Sequence, residues 1–135
     1  MIANYKNLSR EEYLDKFFNI INCMQLDESK KLAPNEKEYL IDTLMLPDKF
    51  NYFRFSSVAK KVIMEKTKER TGLEHTYQNL NNKIYKLIKK GYLWKDTDGQ
   101  TYFKPFIIKA VTALDKALAE GNHYDFVFRF KNEQD

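Results

Sequence analysis

Gln78, Asn82, Lys86 and Lys89 recur at three- and four-residue steps in the run from Thr76 to Lys90, so at about 100° per residue they share one side of a helix. Amide side chains pair bidentately with adenine, and lysines reach guanine acceptors or phosphate oxygens. Gln78, Asn79, Asn82 and Lys86 are therefore candidate base-reading groups. Lys83, Lys89 and Lys90 on the same run are candidates for neutralising phosphate. Upstream, Lys60 and Lys61 are placed to touch a nucleic-acid backbone beside a groove, and downstream Lys95 and Lys104 to reach the adjacent groove or backbone. Any one of these residues alone is more simply a solvated surface group. It is their gathering on one helix that points to a polyanion.

Other chemistry has weaker support. His75 and His123 have no Cys or carboxylate at metal-ligand spacing, which argues against zinc. Cys23 follows Ile20 and Ile21 and reads most simply as a buried thiol. Asp96 and Asp98 resemble a catalytic carboxylate pair, but their place beside Gly99 assigns them to a turn. There is neither a Gly-rich phosphate loop nor a Gly-x-Ser-x-Gly elbow. No enzyme activity and no cofactor are expected.

The elements that must position these groups follow from caps and periodicity. Ser9 with Glu12 forms a capping box for a first helix whose apolar positions are Tyr13, Phe17, Ile20, Ile21 and Met24. Pro34 opens a second helix carrying Leu40, Ile41, Leu44 and Met45 as far as Pro47. The stretch from Asp48 to Phe55 is aromatic and irregular. Ser56 or Ser57 caps a third helix, striped by Val58, Val62 and Ile63, which stops at Thr71-Gly72. The fourth runs from Thr76 to Lys90, with Tyr77, Leu80, Ile84 and Leu87 facing inward, and ends at Gly91. Residues 92–95 and 100–104 flank Asp96-Thr97-Asp98-Gly99 as a two-stranded hairpin, with Trp94 opposite Tyr102. Pro105 opens a fifth helix with Ile107, Val111, Leu114 and Leu118 on one face. From His123 to Lys131 the pattern alternates, putting Tyr124, Phe126, Phe128 and Phe130 on one side of a strand that must lie on the protein's own core or on another chain. The result is one mainly α domain with a small β-hairpin: an N-terminal helix over 1–31, a central unit over 32–104, and a C-terminal helix and aromatic strand over 105–135.

Composition agrees with a packed globular chain. Of 135 residues, 43% are hydrophobic and 15% aromatic, against only four Gly and three Pro, which excludes wholesale disorder and collagen-like architecture. No apolar run of membrane-spanning length and no secretory leader is apparent, so a soluble cytoplasmic protein without a membrane partner is expected. Charge is segregated. Residues 49–95 hold twelve Lys or Arg against three acids, a local balance of +9 that leaves −5 for the rest of a chain whose net charge is +4. A basic block between acidic ends is the footprint of a segment that meets phosphates, although a solvated lysine-rich surface has the same composition.

The order helix, helix, Gly turn, helix, Gly, hairpin resembles a winged helix-turn-helix. The Thr71-Gly72-Leu73 turn, the amphipathic run from Thr76, and the Lys90-Gly91-Tyr92-Leu93 step are similar to the recognition-helix stretch of that superfamily. The opening Leu32-Ala33-Pro34-Asn35-Glu36-Lys37-Glu38 is similar to the first helix of winged domains in phage and plasmid replication initiators and in MarR-like regulators. The resemblance spans residues 32–104. It implies a duplex DNA-binding protein, a small transcriptional regulator or a phage or plasmid replication accessory, reading the major groove with residues 76–90 and using 92–104 as a wing. It also implies dimer contacts through the outer helices. The alternative is a protein assembly module, such as a virion, packaging or polymerase-associated component, that engages partners through Tyr124, Phe126, Phe128 and Phe130 and the loop from Phe50 to Phe55.

Overall fold

The computed structural model describes residues 2–5, 9–119 and 124–127, the two terminal segments by their backbone. Five helices and two small antiparallel sheets appear among them: strand β1 (Ile2–Tyr5), helices α1 (Arg10–Met24), α2 (Pro34–Leu44), α3 (Ser57–Thr71) and α4 (Tyr77–Lys90), strands β2 (Leu93–Lys95) and β3 (Thr101–Phe103), helix α5 (Pro105–Ala119) and strand β4 (Tyr124–Val127). The chain is thus mainly helical with a small hairpin, its helices and hairpin in the order its caps and periodicities predict and β1 in addition.

Helix starts are set by local hydrogen bonds that satisfy otherwise orphaned N–H groups. The Ser9 hydroxyl accepts from the Glu12 amide while the Glu12 carboxylate accepts from the Ser9 amide. Ser56 and Thr76 cap α3 and α4 by accepting from the amides of Ala59 and Asn79. At α2 the cap residue is Ala33, which has no side-chain acceptor, and the Glu36 carboxylate supplies the return bond to the Ala33 amide at 2.7 Å. Both α3 and α4 end on a left-handed glycine, Gly72 at φ 76° and Gly91 at φ 89°.

The core is one cluster in which Leu14 and Phe18 of α1, Leu40 and Leu44 of α2, Ile63 of α3, Leu80 and Leu87 of α4, Leu93 of β2 and Ile107 and Leu114 of α5 are buried. Two arginines close the C-terminal end of α2, whose last carbonyls lack helical partners. Arg10 donates to the Leu44 carbonyl at 2.7 Å and pairs with Asp115 of α5. Arg54 donates to the carbonyls of Thr43 and Leu46. The stretch from Asp48 to Phe53 is a 3-10 helix rather than an irregular loop. Phe50 and Phe55 on either side of Phe53 are buried, and Phe55 contacts both Tyr39 and Phe103 with ring centroids 6.1 and 5.0 Å apart. These aromatics join α2 to the hairpin and are not available as a partner-binding loop; Phe53 alone of the three is exposed.

In the hairpin, Trp94 pairs with Tyr102 across the strands, their rings 5.0 Å apart. The Asp96 carboxylate accepts from the amides of Asp98 and Gln100, which makes it a turn former. The strand over residues 124–127 runs antiparallel to β1, with Ile2 opposite Val127 and Tyr5 opposite Tyr124. Its ladder partner is therefore a strand at the other end of the same chain, which no residue pattern near Ile2–Tyr5 announces. Phe128 and Phe130 lie outside the described residues, as do His123 and the side chains of Tyr124, Phe126 and Leu118.

Four apolar assignments differ from expectation. Met45 lies past the end of α2, at its C-cap, and is 38% exposed. Cys23 is exposed, because it lies nine residues from the buried Leu14, about 180° round the helix at about 100° per residue. Val58 is 65% exposed, since the inner stripe of α3 runs through Ala59, Ile63 and Thr67. Tyr77 is 45% exposed at the free first position of α4, one turn before Leu80 enters the core. For the helix stop at Gly91 the cost of a side chain is conformational, because an added Cβ would meet no atom within 4 Å. Gly91→Ala is expected to lower stability by about 1–2 kcal/mol, and Gly91→Asn by less, as read from urea unfolding midpoints.

Candidate nucleic-acid interface

The apolar ridge of α4, Leu80, Ile84 and Leu87, is buried, which turns the opposite side of the helix to solvent. Gln78, Asn82, Lys86 and Lys89 are all exposed there. The amide of Gln78 donates to the Asn82 side-chain oxygen at 3.2 Å, one turn away. The Lys89 ammonium stands 4.7 Å over the ring of Tyr85. α4 carries no acidic residue. Among the described residues, no carboxylate forms a salt bridge with Lys60, Lys61, Lys86, Lys89 or Lys95.

Three other expected contacts, Lys90, Lys83 and Asn79, are engaged inside the molecule. Lys90 reaches back to α2, where its ammonium donates to Glu36 at 2.5 Å and to the Lys31 carbonyl at 2.8 Å, and both side chains are largely withdrawn from water. It is a half-buried structural cation and not a phosphate contact, because Gly91 ends the helix where its last turn crosses the start of α2. Lys83 leaves α4 on the flank toward α2, half-buried, with its ammonium 6.0 Å from the Tyr39 ring. Burial pulls its pKa down, against the opposing charges of Glu38, Asp42 and Glu36. Asn79 completes the α4 cap, its side-chain oxygen accepting from the Thr76 amide at 3.1 Å. Lys104 stands at the base of the hairpin, its amide bonded to the Tyr92 carbonyl, away from the turn.

Lys60 and Lys95 do come together. They line a groove of about 770 Å³ between the start of α3, one edge of α4 and the hairpin, over a floor that includes Ile84 and Ile88. The Lys60 ammonium donates to the Asn81 side-chain oxygen at 2.6 Å. Its pKa is lowered first by burial and then by the Lys95 charge. Asn81, Tyr85, Phe53 and Gln100 line the same groove; of these only Phe53 is marked in the sequence, as part of the aromatic loop from Phe50 to Phe55. Asn81, Tyr85 and Ile88 do follow one another at helical spacing along α4, but only the folded hairpin turns that edge into a wall.

Elsewhere, a second groove between α1 and α2 is lined by Glu11, Glu12, Asp15, Glu38 and Asp42 together with Lys37 and Arg70. Arg70 pairs with Glu38 and Asp42, and Lys37 with Asp15. Among the described residues, no group of three or more His, Cys, Asp or Glu is placed to hold a metal ion, and no helix is long and apolar enough to cross a membrane.

No family model, curated protein or solved structure matches this chain.

The two kinds of lysine on α4 separate by stability. Lys90→Met leaves Glu36 buried without its counter-charge and is expected to cost about 3 kcal/mol. Lys86→Met, at an exposed site, should stay within about 0.5 kcal/mol of the parent. Urea denaturation of the two variants checks the contrast.

Proposed function

We propose that the protein binds duplex DNA in the manner of a winged helix-turn-helix, with α4 in the major groove and the β2–β3 hairpin beside it. The supporting observation is that the amide and ammonium groups of α4 lie together on its exposed side, unpaired with acids, while Lys60 and Lys95 flank them. Gln78 and Asn82, already linked to each other, present amide donors and acceptors of the kind that read adenine, and Lys86 reaches guanine acceptors. Lys61, Lys89, Lys60 and Lys95 contact phosphates on either side. A small regulator and a phage or plasmid replication accessory both use such a surface, and a dimer would place two copies of α4 on successive major grooves. No catalytic role is assigned.

The test is a mobility shift on mixed-sequence duplex at about 50 and about 200 mM salt. Binding is expected at the lower concentration and should weaken steeply at the higher, each phosphate contact contributing about −0.9 to the log–log slope. Lys86→Glu combined with Lys89→Glu should abolish the shift without altering the far-UV circular dichroism. A parent protein that fails to bind duplex at the lower salt, or a double variant that binds as tightly as the parent, would overturn the proposal.

A further inference from the structure

The groove between α4 and the hairpin has more than a backbone contact requires. Lys60 and Lys95 both line it, among the described residues no carboxylate does, and the Lys60 side chain is partly desolvated and oriented by Asn81. The Lys95 charge acts on Lys60, and an anion placed between two like charges relieves their repulsion. Two aromatic rings border the same space, Tyr85 at 59% and Phe53 at 55% exposure. Lys89 covers one face of Tyr85, so a planar partner would take the other. The Asn81 and Gln100 side chains add amide groups alongside.

Cations that follow a backbone, set beside aromatic rings that accept a base of any sequence, are the elements of a single-strand site. A paired base inside a duplex has both faces stacked and cannot reach a ring at the side of a concave wall, whereas an extruded or unpaired base can. At about 770 Å³ the groove falls within the size range of small-ligand sites and admits a nucleotide. We infer that this groove holds one unpaired nucleotide of a DNA strand, with its phosphate between Lys60 and Lys95 and its base against Tyr85. The inference rests on the DNA-binding function proposed above and adds to it a preference for strand ends, bubbles or junctions.

Fluorescence anisotropy with a labelled dT oligomer of about twelve nucleotides, run beside a blunt duplex, tests it. The parent protein is expected to bind the oligomer. Tyr85→Ala should weaken that binding tenfold or more, the scale of losing one stacked base, while Tyr85→Phe stays within about twofold and blunt-duplex affinity changes by less than about twofold. Lys60→Gln with Lys95→Gln should flatten the single-strand salt slope by about 1.4, about 0.7 for each lost contact. The inference is overturned if the oligomer does not bind, if Tyr85→Ala binds it as well as the parent does, or if the lysine pair leaves the slope unchanged. Displacement of the oligomer by millimolar dTMP would also overturn it, making the groove a pocket for a free mononucleotide. A protein that binds the duplex but not the oligomer loses this site and keeps the duplex function. One that binds the oligomer but not the duplex loses the duplex function and keeps the site.

Discussion

Glu36 and Lys90 meet where the first turn of α2 passes the last turn of α4, and the Lys31 carbonyl takes a second proton of the same ammonium group. Burying two charges costs desolvation energy that their attraction repays only in good geometry, so such a pair does more to fix one arrangement than to add net stability. Here it fixes the rotation of α4. With Leu80, Ile84 and Leu87 in the core and Lys90 held against α2, the side bearing Gln78, Asn82, Lys86 and Lys89 has to face water. Burial, and after it the same negative charge, raises the pKa of Tyr92, just past the helix stop. Glu36 also closes the start of α2 through the Ala33 amide, and so one carboxylate joins two helices and the entry to the hairpin.

The basic block then divides into two populations. Arg54 holds carbonyls at the end of α2, Arg70 pairs with Glu38 and Asp42, Lys68 pairs with Glu74, and Lys90 with Glu36. These charges are neutralised or committed within the fold. The other eight form no salt bridge among the described residues; of these, Lys60, Lys61, Lys86, Lys89 and Lys95 lie on α3, α4 and the hairpin, whereas Glu11, Glu12, Asp15, Glu38 and Asp42 line the groove between α1 and α2. A positive face set apart from an acidic groove would direct the DNA proposed above to one side of the molecule.

Where structure is decided within a few residues, it was legible in the sequence. The Ser9 box, a serine cap at Ser56 or Ser57, the glycine stops and the Asp96 turn all act over fewer than five positions, and each folds as its residue types require. The long apolar periodicity of α4 likewise places Leu80, Ile84 and Leu87 in the core, though not Tyr77. Contacts between distant segments were not legible. Nothing near Lys90 in the chain marks it as the partner of Glu36, and nothing near Tyr124 announces its pairing with Tyr5. Val58 and Cys23 failed because an apolar side chain joins the core only if a neighbouring element covers that side of its helix, which periodicity alone does not reveal. In the candidate site, the outer strip followed from the helical repeat. The groove did not, because it exists only where the hairpin folds beside Asn81 and Tyr85.

The most direct test of the exposed face of α4 as the contact surface is a nitrogen-15 amide titration of the protein with short duplex DNA, monitored by two-dimensional NMR. Chemical-shift changes and line broadening should concentrate on residues 78–89 and 93–103 and on the start of α3, leaving α1 and the acidic groove near their free positions. Perturbations centred on α1, α2 or α5, with 78–89 unmoved, would contradict it.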